Sequence, residues 1–158
     1  FGPNKNPYVL THTRGLYTSR DGAKTFINLT GTLSGSFVTL NSDFSAVSRF
    51  LDLSFDKKQS GVLYLATDAG LVRTVNDGTN WAFMKMPVKN SVLRTSASAV
   101  NPQDSNNLYA VIGNTMFVSN NGGITWQTRP LTSAREVREI LIDANSPNVI
   151  YLSLGARK

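Results

Sequence analysis

At 158 residues the chain has room for one domain with a real core, and 41% apolar against 16% charged residues marks a chain that folds. The absence of cysteine excludes disulfides, thiolate metal sites and cysteine catalysis, and no apolar run is long enough for a membrane-spanning helix. A net charge of +6 favours anionic partners, but the basic residues are scattered, with Lys57-Lys58 the longest run, which argues against a nucleic-acid partner.

The first residues, Phe1 to Pro7, read as a loop with no basic-then-apolar leader, the start expected of a processed chain or a fragment. Tyr8-Val9-Leu10 and Gly15-Leu16 open a first β-rich unit that ends on the polar box Ser19 to Phe26. A long stretch from Leu29 to Ser48 follows, polar but carrying Phe37, Val38 and Phe44. The second unit runs from the apolar strand Leu51 to Phe55 through Asp56, then Val62 to Leu65 and Gly70-Leu71, to a box at Thr74 to Trp81. The third repeats it with Ala97 to Val100, Asn101, Leu108 to Ile112 and the box Ser119 to Trp126. The fourth begins again with Ile140 to Ile142, Asp143 and Val149 to Leu152. Asp56, Asn101 and Asp143 each precede a tyrosine by eight positions (Tyr64, Tyr109, Tyr151), and the boxes start 55 and 45 residues apart.

Four short strands per unit at a period near 45 is the signature of a β-propeller blade. The predicted fold is all-β, a partial propeller of about three to four four-stranded antiparallel blades. Blade 1 spans about 7–29 and lacks its inner strand, a loop covers 29–48, and blades 2 and 3 span about 49–86 and 94–129. A fourth blade starts at about 137–158. Only Ser133 to Arg138 reads as a turn of helix. Because a propeller closes with about four to eight blades, an arc of this size leaves apolar faces and sheet edges open to a second copy or to the rest of a longer chain.

The box Ser119-Asn120-Asn121-Gly122-Gly123-Ile124-Thr125-Trp126 resembles the Asp-box, or BNR repeat, Ser-x-Asp-x-Gly-x-Thr-Trp. Ser119, Asn121, Gly123, Thr125 and Trp126 carry the match here. Ser19, Asp21, Gly22, Thr25 and Phe26 carry it in the first unit, with Ala23 at the glycine. In the second unit Thr74, Asn76, Gly78 and Trp81 do so, with Asn80 for threonine. The chain is similar to YCF48-like photosystem-assembly-factor proteins and to sortilin- and sialidase-like propellers, which implies a scaffold or assembly role outside the cytoplasm. Physically the box suits a hairpin: Asp or Asn holds nearby amides, and the closing aromatic packs between blades. Burying about 150–250 Å² of ring contributes roughly 4–6 kcal/mol as an upper bound.

Some Asp-box propellers are glycoside hydrolases, which need two carboxylates flanking a sugar. Asp21 and Asp77 belong to boxes, and Asp56 and Asp143 sit at the repeated turn. Of the remainder, Asp52 is the best isolated candidate, on an inner strand, although a polar residue facing channel water is the simpler role. The chain has no Arg-Ile-Pro segment of the sialidase kind, and its two glutamates fall in one short stretch. His12 has no partner spacing for a metal and reads as a strand histidine, so neither metal nor other cofactor is expected. Arg49 and Arg94 each lie seven residues before the turn residues Asp56 and Asn101; the third equivalent is Glu136, flanked by Arg135 and Arg138. These positions fall at the inner-strand starts, where Arg49, Arg94, Arg135 and Arg138 would form a positive funnel for a carboxylate, a phosphate or an acidic peptide. The expected function is therefore a non-catalytic platform binding a protein or anionic ligand at its channel face. The alternatives are a fragment of an Asp-box glycoside hydrolase and a self-assembling surface or appendage component.

Overall fold

A computed structural model describes residues 2, 5–31, 47–88 and 94–156. Among the described residues there are strands and turns and no helix. Sheet A is formed by β1 (Tyr8–Thr11), β2 (Gly15–Thr18) and β3 (Ile27–Asn28). Sheet B follows with β4 (Phe50–Phe55), β5 (Leu63–Thr67), β6 (Gly70–Thr74) and β7 (Ala82–Phe83). Sheet C contains β8 (Thr95–Asn101), β9 (Asp104–Ile112), β10 (Thr115–Ser119) and β11 (Gln127–Pro130), and sheet D pairs β12 (Glu136–Ile142) with β13 (Ile150–Gly155). Every pairing is an antiparallel meander between chain neighbours.

Strand alternation sends successive side chains to opposite faces, and here both faces of the middle sheets are apolar. On sheet B, Leu63, Leu65, Val72 and Trp81 turn back to join Leu16 and Leu29 of sheet A. Val62, Tyr64 and Leu71 turn forward to meet Val100, Leu108, Ala110 and Phe117 of sheet C. A third core joins Ala97, Val111 and Met116 of sheet C to Val137, Ile140 and Ile142 of sheet D. Each core thus lies between consecutive sheets, and the inner strands β4 and β12 both pack against β8. Sheets stacked face to face with their first strands together form a partial β-propeller, as the period predicts.

Each polar box is a hairpin turn built on the same bonds. The hydroxyls of Ser19, Thr74 and Ser119 accept the amides of Ala23, Gly78 and Gly123 at 2.8, 3.0 and 2.9 Å. Asp21, Asn76 and Asn121 accept the amides of Thr25, Asn80 and Thr125, each at 2.9 Å. The Asp21 carboxyl is held down to about 2, chiefly by the Thr25 hydroxyl and amide and then by Ser19. The second repeated turn is equally regular: Asp56 accepts the amides of Lys58 and Gln59, Asn101 that of Gln103, and Asp143 those of Asn145 and Ser146.

Three expectations need correction. Phe26 does not fold between sheets; it is 45% exposed, whereas Trp81 is 8% exposed and donates its Nε1–H to the Leu29 carbonyl at 2.9 Å. The box aromatic packs on the preceding sheet, and among the described residues none precedes sheet A. The expected helical turn at Ser133–Arg138 is instead the approach to β12, whose first residue Glu136 is buried and pairs with Gly155. His12 lies in the exposed β1–β2 turn and not in a strand, because the Thr11 hydroxyl accepts the Arg14 amide and ends β1 there. Most of the 29–48 loop, with Phe37, Val38 and Phe44, lies outside the described residues.

Candidate functional site

Two features face the inner edge of the arc, and both are set by the way the inner strands begin. Arg49 and Arg94 immediately precede β4 and β8, and Glu136 opens β12, so the seven-residue spacing does place them at equivalent strand starts. Asp68 fixes the first of these: its carboxylate accepts the Ser48 and Arg49 amides, both at 3.1 Å, while its own amide donates to the Arg49 carbonyl. The Arg49 side chain is left exposed.

Arg94 and Arg138 come together, but on a protein carboxylate. Glu136 is buried; Arg94 bonds its Oε1 and the Arg138 Nη2 lies 2.9 Å from its Oε2. Arg138 also donates to the Ala156 carbonyl at 2.5 Å. Both guanidinium groups stay partly exposed and keep unused N–H donors toward solvent, so the cluster is a fixed two-arginine, one-carboxylate unit with one net positive charge. Arg135 is exposed and joins the cluster through sequence alone, with its amide capped by the Ser133 hydroxyl. Sequence reasoning placed Glu136 at the third equivalent position without assigning it as the anchor. The signal was the change of charge sign at that one position.

Below this rim, β4, β8 and β12 enclose a cleft of about 130 Å³ lined among others by Asp52, Ser54, Lys57, Ser98 and Glu139. Asp52 points forward from β4 and its Oδ2 accepts the Ser98 amide of β8 at 2.9 Å, while its Oδ1 accepts the Leu53 amide at 2.9 Å. The Ser54 and Ser98 hydroxyls are 3.0 Å apart, so the two inner strands are stitched side chain to backbone and side chain to side chain. Burial pushes the Asp52 carboxyl up to about 6, against the opposing pull of the Ser98 and Leu53 amides, with the negative charge of Glu139 adding to the rise. The sequence carried a signal for this pair as well: Glu139 stands four residues before Asp143, as Asp52 stands four before Asp56. No group of three or more His, Cys, Asp or Glu side chains able to hold a metal occurs among the described residues.

This geometry defines a β-propeller arc with a charged inner rim. No protein-family model and no curated protein matches the chain. Among solved structures it is similar to an ancestral GH74 enzyme, at 20% identity and a TM-score of 0.72 over 96% of this chain and 21% of that one. It is similar also to the GH74 enzyme of Niastella koreensis, at 17% identity and a TM-score of 0.72 over 98% of this chain and 26% of that one. YCF48 bound to D1 peptide superposes at 16% identity and a TM-score of 0.53 over 78% of this chain and 36% of that one. The chain thus spans about a quarter or less of the GH74 enzymes it resembles, and at these identities the likeness establishes the propeller fold.

Proposed function

We infer that this chain is part of a non-catalytic propeller platform that takes an acidic peptide or another anionic ligand at its inner rim. The observation that carries the reading is the Arg94–Glu136–Arg138 unit. A buried carboxylate holds two guanidinium groups in place, so their free N–H donors meet a ligand carboxylate without first being ordered. Arg49 and Arg135 add exposed positive charge at neighbouring strand starts. That one similar structure is a propeller bound to a peptide supports a protein partner over a small anion. The polar hairpins are read as Asp-boxes with a structural role, and the reading carries an extracytoplasmic location with it. Binding of a fluorescent acidic peptide, with a neutral peptide of the same length as control, tests it. Arg49→Ala combined with Arg94→Ala should weaken the acidic peptide by about ten- to a hundredfold, the loss of one or two charge-assisted bonds. Unchanged affinity removes the proposal.

A second reading, part of a glycoside hydrolase, is favoured by Asp52 and Glu139 lining one cleft, with Asp52 holding its proton up to about pH 6 as a general acid must. Both Asp52 oxygens already accept backbone amides, which suits a clamp better than an acid. Release of reducing sugar from β-glucans, abolished by Asp52→Asn, would establish this reading over the first.

A further inference from the structure

We propose that the end of the arc at which the inner strands begin docks on an anionic lipid surface. In an antiparallel meander successive turns fall alternately at two ends, and contacts between sheets bring like ends together. The His12 carbonyl of the β1–β2 turn accepts the Phe50 amide at the start of β4, and Arg94 before β8 bonds Glu136 of β12. At the other end the Ser105 hydroxyl of β9 donates to Asp56 after β4, and the Gln103 side chain donates to the Ala144 carbonyl after β12. One end thus carries the β1–β2, β5–β6 and β9–β10 turns with the inner-strand starts. The other carries the three boxes and the turns at Asp56, Asn101 and Asp143.

The charge that the sequence scatters is gathered at the first of these ends. Arg49, Arg94 and Arg135 stand at strand starts, and Arg138 is drawn there by Glu136 and the Ala156 carbonyl. Arg14 lies in the β1–β2 turn, Lys85 follows β7, and Arg129 is next to last in β11. Against these seven cations stand Asp68 and Glu136, so with its ion pairs allowed for this end carries a net +5 among the described residues. The opposite end is neutral: Lys5, Arg20, Lys24, Lys57 and Lys58 are matched by five aspartates, Asp21 and Asp77 in boxes and Asp56, Asp104 and Asp143 at the inner-strand turns. Asp52, Arg73 and Glu139 lie between the ends, and Asp43, Lys89, Arg157 and Lys158 lie outside the described residues. Ion pairs among the described residues are confined to Glu136, so Arg14, Arg49, Lys85, Arg129 and Arg135, all exposed, keep their charge for a partner.

Breadth and the lack of apolar anchors identify that partner. The cations are spread over all four sheets, so no single pocket collects them. Of the large apolar side chains left exposed among the described residues, only Leu154 lies near this end, whereas the core of a protein interface is depleted of charge and built around apolar and aromatic side chains. A leaflet rich in anionic headgroups needs no such core: it attracts each nearby Lys or Arg by electrostatics, within about a Debye length. The contact is therefore peripheral, without insertion, and reversed by salt. This inference uses the rim arginines as charge alone and stands apart from the peptide reading.

Co-sedimentation with vesicles of phosphatidylcholine containing about one-third phosphatidylserine tests it, with pure phosphatidylcholine vesicles as control. The wild type should bind the anionic vesicles alone, and release them near 1 M salt, where the Debye length is about 3 Å. Arg14→Glu, Lys85→Glu and Arg129→Glu combined change three exposed side chains outside the Glu136 unit. At about fivefold per cation, binding should fall by about a hundredfold or more. Arg20→Glu, Lys24→Glu and Lys58→Glu combined change the net charge equally at the opposite end and should keep most of the binding, with circular dichroism confirming the fold of both. No wild-type binding, equal binding to neutral vesicles, or equal losses in the two triple variants overturns the proposal. Wild-type binding of polyglutamate with none to vesicles also overturns it, since the partner is then a protein. A wild type that binds vesicles but no acidic peptide upholds the proposal and fails the rim reading.

Discussion

Replacing Asp52 by asparagine isolates the cost of a carboxylate set between two inner strands. An ordinary aspartate titrates near 3.8 and this one near 6, so the folded state binds the proton more tightly than the unfolded state. A raised carboxyl makes its full contribution to stability below the unfolded value, and that contribution is lost as pH rises through the folded one. The separation of about two units corresponds to about 3 kcal/mol between the low- and high-pH limits, of which roughly 2–3 kcal/mol falls between pH 4 and 7.5. Asparagine keeps one acceptor for the Ser98 or Leu53 amide and loses the other, a pH-independent cost of about 1 kcal/mol. Urea unfolding of both proteins from pH 4 to 7.5 reads the difference. The wild type should lose roughly 2–3 kcal/mol relative to Asp52→Asn across that range and be the less stable of the two at pH 7.5. Parallel stability curves would refute the argument, because they would mean that the carboxylate sits in water and not in the strand interface.

The two tryptophans should respond differently to loss of their N–H. Trp81→Phe strips the Leu29 carbonyl of a buried donor and should cost about 1–3 kcal/mol in denaturant unfolding beyond the smaller ring. In Trp126→Phe that part of the cost should be missing, since the buried Trp126 Nε1 has no partner among the described residues. Equal losses in the two variants would contradict the assigned bond. The glycines offer a parallel contrast. Gly122→Ala adds a methyl in ordinary contact with Asn106 Oδ1 at 3.8 Å and should cost about 1 kcal/mol for its positive φ, whereas Gly78→Ala, also at positive φ, drives a methyl into Leu29 and should cost more by about 1–2 kcal/mol. Thermal or denaturant melts that rank them the other way would remove the close junction between sheets A and B.

Much of the fold is local, and for that reason it was legible in the chain. A hydroxyl, an Asp or Asn two residues on and a glycine close a hairpin through bonds spanning four residues, and the Asp56, Asn101 and Asp143 turns span two or three. Alternating apolar runs then give strands whose order follows the chain, because each pairs with its neighbour. What a residue meets across a sheet-to-sheet junction depends on a partner some forty to fifty positions away, and only the tertiary structure decided that. Phe26 and Trp81 occupy the same place in the repeat, yet one ring is open and the other is buried on Leu29, since what differs is the sheet behind them. The rim shows the same division. Spacing placed Arg49, Arg94 and Glu136 at equivalent strand starts, but the pairing of Arg94 and Arg138 on one buried carboxylate arises because sheets C and D bring those starts side by side. Asp52 likewise reads in the sequence as an isolated carboxylate on an inner strand, and it acquires its raised titration because packing sets it against β8 and withdraws it from water.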